Sequence, residues 1–140
     1  MTVLSQKQKI KLIDLFQKNK FLDIELEIEN ISNFKDRSAF LANMLGVAKL
    51  KKPSATQKDF EEARKLFKDS YEKDKGYIDA MCNLGSVSLK LRNFDYIFKD
   101  LKRFVKDKGY NTKVHETLAR IFYFTGQIDN ALKLYKEMAD

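Results

Sequence analysis

Lys73-Asp74-Lys75-Gly76-Tyr77 is repeated letter for letter as Lys106-Asp107-Lys108-Gly109-Tyr110, 33 residues later. Such an identity inside one short chain points to internal duplication, and a repeat decides a fold before local propensities do. Around it the apolar positions recur at a step of 34: Leu84 with Leu118, Gly85 with Ala119, Leu89 with Tyr123 and Phe94 with Ile128. The set Phe94, Ile97, Leu101 and Phe104 steps back by 34 onto Phe60, Ala63, Phe67 and Ser70, and forward onto Ile128, Ala131, Tyr135 and Met138. Internal spacings of three, four and three residues are those of the stripe that an amphipathic helix buries. One helix face is therefore used three times.

A fourth copy stands at the N-terminus. Phe21, Ile24, Ile28 and Ile31 keep the same spacing but precede the next set by 39 residues, whereas Leu12 and Gly46 keep the plain step of 34. Five extra residues around Pro53-Ser54-Ala55-Thr56-Gln57, which holds the only proline, account for both intervals as an insertion in one interhelical loop. Beside it Thr56 and Asp59 have the spacing of a capping box, with Asp in place of the usual Glu or Gln. Gly76 and Gly109 stand where helices end, and Asn93 and Gly126 mark tight turns inside the last two hairpins. These signals predict eight helices near 5–18, 21–33, 39–51, 57–73, 78–91, 94–107, 112–125 and 128–139.

Asn83-Leu84-Gly85, then Phe94, and Gly126-Gln127-Ile128-Asp129-Asn130-Ala131 followed by Tyr135 resemble the tetratricopeptide repeat, a family built from 34-residue helix-turn-helix units. The likeness runs over nearly the whole chain and is most specific in residues 78–140. It departs from the family at Ile97, where Ala is preferred, at Met81 and His115, where Trp is preferred, and at Lys75 and Gly109, where Pro is preferred. The resemblance implies an all-α, right-handed α-solenoid of about four antiparallel hairpins, forming one domain over 1–140 with approximate repeats 5–37, 38–77, 78–111 and 112–140.

Composition agrees with a helical, globular chain. The 140 residues suffice for one domain, and 44% apolar content with five Gly and one Pro argues against disorder and against a turn-rich β fold. No secretory signal pattern and no apolar run of membrane-spanning length occurs, which favours a cytoplasmic protein that does not engage a membrane. Cys82 is the only cysteine, so no intrachain disulfide can form, as suits a reducing compartment. The net charge of +7 comes from 22 Lys and five Arg spread through the chain among Asp and Glu. Dispersed lysine solvates a helix surface, while the bidentate reading of phosphate and guanine relies on Arg, so nucleic acid is disfavoured as a partner.

Catalytic chemistry finds little material. His115 is the only histidine and would have to act with Cys82, from near-equivalent positions of adjacent repeats. A packed, inert role for both is the better reading. No phosphate loop, paired-cysteine motif or nucleophile elbow is present, so neither an enzyme nor a cofactor or small-molecule substrate is expected. The acidic run Asp23-Ile24-Glu25-Leu26-Glu27-Ile28-Glu29 reads as a wet helix face, and Tyr71, Tyr77, Tyr110, Phe122 and Tyr123 read as packing between hairpins rather than as base-stacking platforms.

What the resemblance implies instead is a concave surface lined by the first helix of each hairpin, holding a protein or peptide segment. In the repeat's phase, Phe40, Asn43, Met44 and Val47 of the second hairpin face that groove. Cys82, Asn83, Ser86 and Lys90 follow in the third, with Lys113, Thr117, Arg120 and Tyr123 in the fourth. A family subtype that clamps C-terminal carboxylates matches only at Asn83 and Lys113, because Asn43, Val47 and Thr117 replace its Lys, Asn and Arg. The sequence stops at Asp140 without a capping helix, which leads to an expectation that Ile121-Phe122-Tyr123-Phe124 and Leu134 are partly exposed, and that the last hairpin associates end to end with another copy or continues into a longer protein. The leading reading is thus a protein-interaction scaffold. The alternative is an N-terminal regulatory or targeting region of a larger enzyme such as a transferase.

Overall fold

In the computed structural model, residues 4–31 and 37–140 are described. Among them the chain is all-helical: α1 (Gln6–Gln17), α2 (Phe21–Ile31), α3 (Ala39–Lys51), α4 (Gln57–Lys73), α5 (Ile78–Lys90), α6 (Asp95–Lys108), α7 (Thr112–Phe124) and α8 (Ile128–Ala139). Each of the eight expected helices is present, with ends within two residues of their expected positions. The last two residues expected of α2 lie outside the described residues. The helices group into two compact units, Met1–Asp74 and Lys75–Asp140.

In the first unit α1 packs on α2, α2 on α3 and α3 on α4. Leu12 of α1, Ile24 and Ile28 of α2, Leu41, Ala42, Leu45 and Ala48 of α3 and Leu66 of α4 form its core, edged by Leu4, Leu15, Phe21 and Ile31. The middle of α3 is apolar on nearly every side, and a helix of that kind is stable only when surrounded. Accordingly Leu41 through Lys49 are all buried. Gly46 makes the closest approach: a Cβ built there would lie 2.5 Å from Cε1 of the fully buried Phe67, so α3 and α4 meet at a distance that only glycine permits.

The insertion between α3 and α4 is tied down at both ends. Lys52 leaves α3 in an extended conformation, and Thr56 caps α4 with the reciprocal pattern its spacing suggested, Thr56 N–H to Asp59 Oδ2 at 2.8 Å and Asp59 N–H to Thr56 Oγ1 at 3.3 Å. Lys52 Nζ meets Asp59 Oδ1 at 3.0 Å and Glu25 Oε2 at 3.0 Å. Lys49 Nζ lies 3.2 Å from Glu25 Oε1 and 3.1 Å from Glu62 Oε2. Glu25 thus joins α2 to α3, and part of the acidic run expected to be a wet face is an internal ionic tie. Burial lowers the Lys49 ammonium's affinity for its proton, and the hydrogen bonds it donates to Glu62 and Glu25 more than reverse that, leaving its pKa raised.

Three hairpins turn in the same way. Lys20 N–H reaches Leu15 O and Asn19 N–H reaches Phe16 O; Asn93 N–H reaches Ser88 O and Arg92 N–H reaches Leu89 O; Gln127 N–H reaches Phe122 O and Gly126 N–H reaches Tyr123 O. These are paired 6→1 and 5→2 bonds of the Schellman type, and they satisfy carbonyls that the ends of α1, α5 and α7 would otherwise leave open. The left-handed residue is Asn19, Arg92 and Gly126 in turn, with φ of 57°, 57° and 81°. In the third hairpin the left-handed residue is Arg92, and Asn93, expected to mark this turn, closes it through its N–H to Ser88 O.

In the second unit α5 packs on α6, and α7 packs on α5, α6 and α8. Ala80, Met81, Leu84 and Val87 of α5, Ile97 and Leu101 of α6, Val114, Leu118, Ala119 and Ile121 of α7 and Ala131 and Leu134 of α8 are buried. Ile97 is completely covered. Phe94 and Phe98 of the third hairpin meet Phe124 and Phe122 of the fourth edge to face, with centroids 6.3 Å and 5.4 Å apart. Of the residues expected to be partly exposed, Ile121 and Leu134 are buried, because both point into this helix packing, while Tyr123 and Phe124 are exposed.

Candidate protein-binding face of α5 and α7

The face is built from two helices lying side by side in the second unit. Gly85 of α5 sets their closeness: a Cβ there would meet Thr117 Cγ2 of α7 at 2.6 Å. Thr117 is itself buried, with Oγ1 donating back to Lys113 O at 2.8 Å. Its place is between the helices, where it packs rather than reaches outward. On either side of this contact, polar side chains bridge the helices at the repeat interval. Lys113 Nζ donates to Asp79 Oδ1 at 2.6 Å and Arg120 Nη2 donates to Ser86 Oγ at 2.7 Å, each pair 34 residues apart. The hydrogen bond and charge of Asp79 raise the pKa of Lys113, so its ammonium is charged throughout the physiological range.

Of the residues expected on this face, Lys90, Lys113, Arg120 and Tyr123 are exposed, and Asn83 and Ser86 are half-buried. Tyr123 is 65% exposed, the most open of the large side chains there. Cys82 is buried next to Thr117, and burial pushes its thiol pKa up, which keeps it neutral and unreactive at ordinary pH. In the first unit, Phe40 is exposed while Asn43, Met44 and Val47 are buried within the enclosed α3. The structure thus brings Asn83, Ser86, Lys90, Lys113, Arg120 and Tyr123 together on α5 and α7, and it does not open Asn43 and Val47 to the surface of α3. Asp79 belongs to no motif of the sequence, and its one signal there is its distance of one repeat step from Lys113.

His115 looks the other way. It is 1% exposed, with Nε2 2.8 Å from Glu137 Oε2 of α8, Nδ1 3.1 Å from Asn111 O, and Tyr110 against its ring at 4.8 Å between centroids. Cys82 faces α7 through Thr117 and His115 faces α8 through Glu137, so the two have different partners and form no nucleophile pair. Among the described residues no group of three or more His, Cys, Asp or Glu side chains is arranged to hold a metal ion, and no helix is long and apolar enough to cross a membrane. No protein-family model matches the chain, and no curated protein matches it either.

Proposed function

We propose that the chain is a tetratricopeptide-like helical repeat protein of the α-solenoid type, and that it binds a peptide or protein segment across α5 and α7. The observation that carries this reading is the repeat-spaced pair of bridges, Asp79 to Lys113 and Ser86 to Arg120, with Tyr123 standing open beside them. The opposite sides of both helices are committed to the core, so this face is where they can present side chains to a ligand. Exposed polar groups already held in fixed rotamers lose little entropy on binding, and a tyrosine adds apolar area with a polar tip. Asn83 offers a donor and an acceptor to a ligand backbone. Lys90, Lys113 and Arg120 outnumber Asp79, which favours a segment carrying carboxylates.

Selection from a displayed peptide library followed by amide chemical-shift mapping on the whole chain tests this. Selected peptides should shift Asn83, Ser86, Lys90, Arg120 and Tyr123, and Asn83→Ala or Arg120→Glu should weaken them without lowering the melting temperature. Shifts concentrated elsewhere, or variants that bind unchanged, would sink the reading. Tight, salt-dependent binding of bulk RNA or DNA would replace it with a nucleic-acid function.

A further inference from the structure

The repeat supplies its own measure of what α8 lacks. Phe94 at the N-cap of α6 and Phe98 and Leu101 within it correspond, one step of 34 earlier, to Ile128, Leu132 and Tyr135 of α8. In the third hairpin this stripe is covered: Leu101 is fully buried, and the Phe94 and Phe98 rings sit against Phe124 and Phe122 of α7. In α8 the same stripe is bare, with Ile128 42%, Leu132 59% and Tyr135 38% exposed. The spacing of four and three residues makes it continuous along one side of the helix, the pattern that another helix packs against.

Charge decides what covers it. Asp129 lies in the first turn of α8 and Lys136 in its last, with Lys133 between, and all three border the stripe on the same flank. In an antiparallel pair of identical helices each flank meets its own equivalent, so Asp129 of one copy comes beside Lys133 and Lys136 of the other, twice over. A parallel pair would instead turn this flank toward the Ala131 and Leu134 side of the partner, where Asp129 and the lysines find no opposite charge on α8. Antiparallel packing also opposes the two helix dipoles. We propose that α8 is a self-association face, through which two copies of this chain pair by antiparallel packing of Ile128, Leu132 and Tyr135. The other flank of α8 is occupied by Ala131 and Leu134, buried against the same unit. The peptide-binding reading of α5 and α7 plays no part in this.

Sedimentation equilibrium of the whole chain over a range of concentrations tests it. The expected result is a concentration-dependent dimer that Leu132→Asp converts to monomer, with circular dichroism unchanged because Leu132 is exposed. Asp129→Lys should weaken the dimer about tenfold by replacing two exposed ion pairs with repulsions. Asp129→Lys combined with Lys136→Asp should restore it. A chain that stays monomeric up to about millimolar concentration, at which even weak interfaces associate, overturns the proposal, as does a dimer that Leu132→Asp leaves intact. A dimer lost in Leu132→Asp but indifferent to the charge exchange overturns the antiparallel arrangement.

Discussion

Arg120 Nη2 donates to Ser86 Oγ at 2.7 Å, and the two residues stand one repeat step apart. Lys113 and Asp79 reproduce the relationship one helical stretch away. Both bridges lie at the surface, with the Lys113 and Asp79 side chains 65% and 48% exposed. Pairs of this kind contribute roughly 0.2–1 kcal/mol and are screened by salt. Lys113→Ala should therefore cost less than about 1 kcal/mol in urea denaturation, and less still in high salt. A much larger, salt-insensitive loss would make the bridge a structural tie and remove it from any ligand-binding role.

The cap of α4 gives a pH dependence. Hydrogen bonding from the Thr56 backbone, then the Lys52 ammonium, lowers the Asp59 carboxyl from 3.8 to about 2. Because the folded state holds the deprotonated form more strongly than the unfolded chain does, this contribution is complete above pH 3.8 and fades as pH falls toward 2. Thr56→Ala should cost about 1 kcal/mol at neutral pH through loss of the cap. Asp59→Asn should flatten the part of the acid limb between pH 3.8 and 2, as followed by helical ellipticity. An unchanged acid limb would show that the cap is not formed in solution.

Much of the fold can be read from the chain because its signals are local or periodic. The stripes Phe60-Ala63-Phe67 and Phe94-Ile97-Leu101 fix helices and phase, and Thr56 with Asp59 fixes a helix start. What cannot be read depends on partners far away in sequence. Glu25 looks solvated when α2 is considered alone and is enclosed because Lys49 and Lys52 arrive from α3. Asn43 and Val47 follow a phase that puts them outward, yet α3 is so apolar that it is enclosed on that side too. Residue type favours Asn93 over Arg92 as the left-handed residue, because Asn tolerates that conformation better, but the register of bonds to Ser88 and Leu89 selects the position whatever its residue. On the candidate face, types and phase are legible for Asn83, Arg120 and Tyr123. Thr117 is not, since the closeness of α5 and α7 that buries it is set by Gly85.

Two glycines should respond to alanine for opposite reasons. Gly126 has φ of 81° with open space where a methyl group would stand, so Gly126→Ala should cost about 1–2 kcal/mol of backbone strain that no second substitution relieves. Gly46 sits in an ordinary helical conformation but against the Phe67 ring, so Gly46→Ala overpacks and should cost about 1–3 kcal/mol. Phe67→Leu, destabilising alone, should recover part of that loss in the double variant. Additive costs in the pair would mean that α3 and α4 meet less closely than the approach of Gly46 to Phe67 requires.

The tie at Glu25 bears on how the first unit stays together. Its carboxylate accepts from Lys49 at 3.2 Å and Lys52 at 3.0 Å, and both lysine side chains are largely covered. Removing it leaves two partly desolvated ammonium groups, although Glu62 still reaches Lys49 and Asp59 still reaches Lys52. Glu25→Ala should accordingly cost about 1–3 kcal/mol, above the range of an exposed pair and below that of a stranded buried charge. The exposed Asp14–Lys18 pair of α1 serves as the control, with Asp14→Ala expected within about 0.5 kcal/mol of the parent. A double-mutant cycle of Glu25→Ala with Lys49→Met isolates the coupling, which should exceed about 0.5 kcal/mol and persist in high salt. Were Glu25→Ala as silent as Asp14→Ala, the cost of desolvating the lysines would cancel their pairing, and α2 would be held to α3 chiefly by apolar packing of Ile24 and Ile28, edged by Phe21 and Ile31.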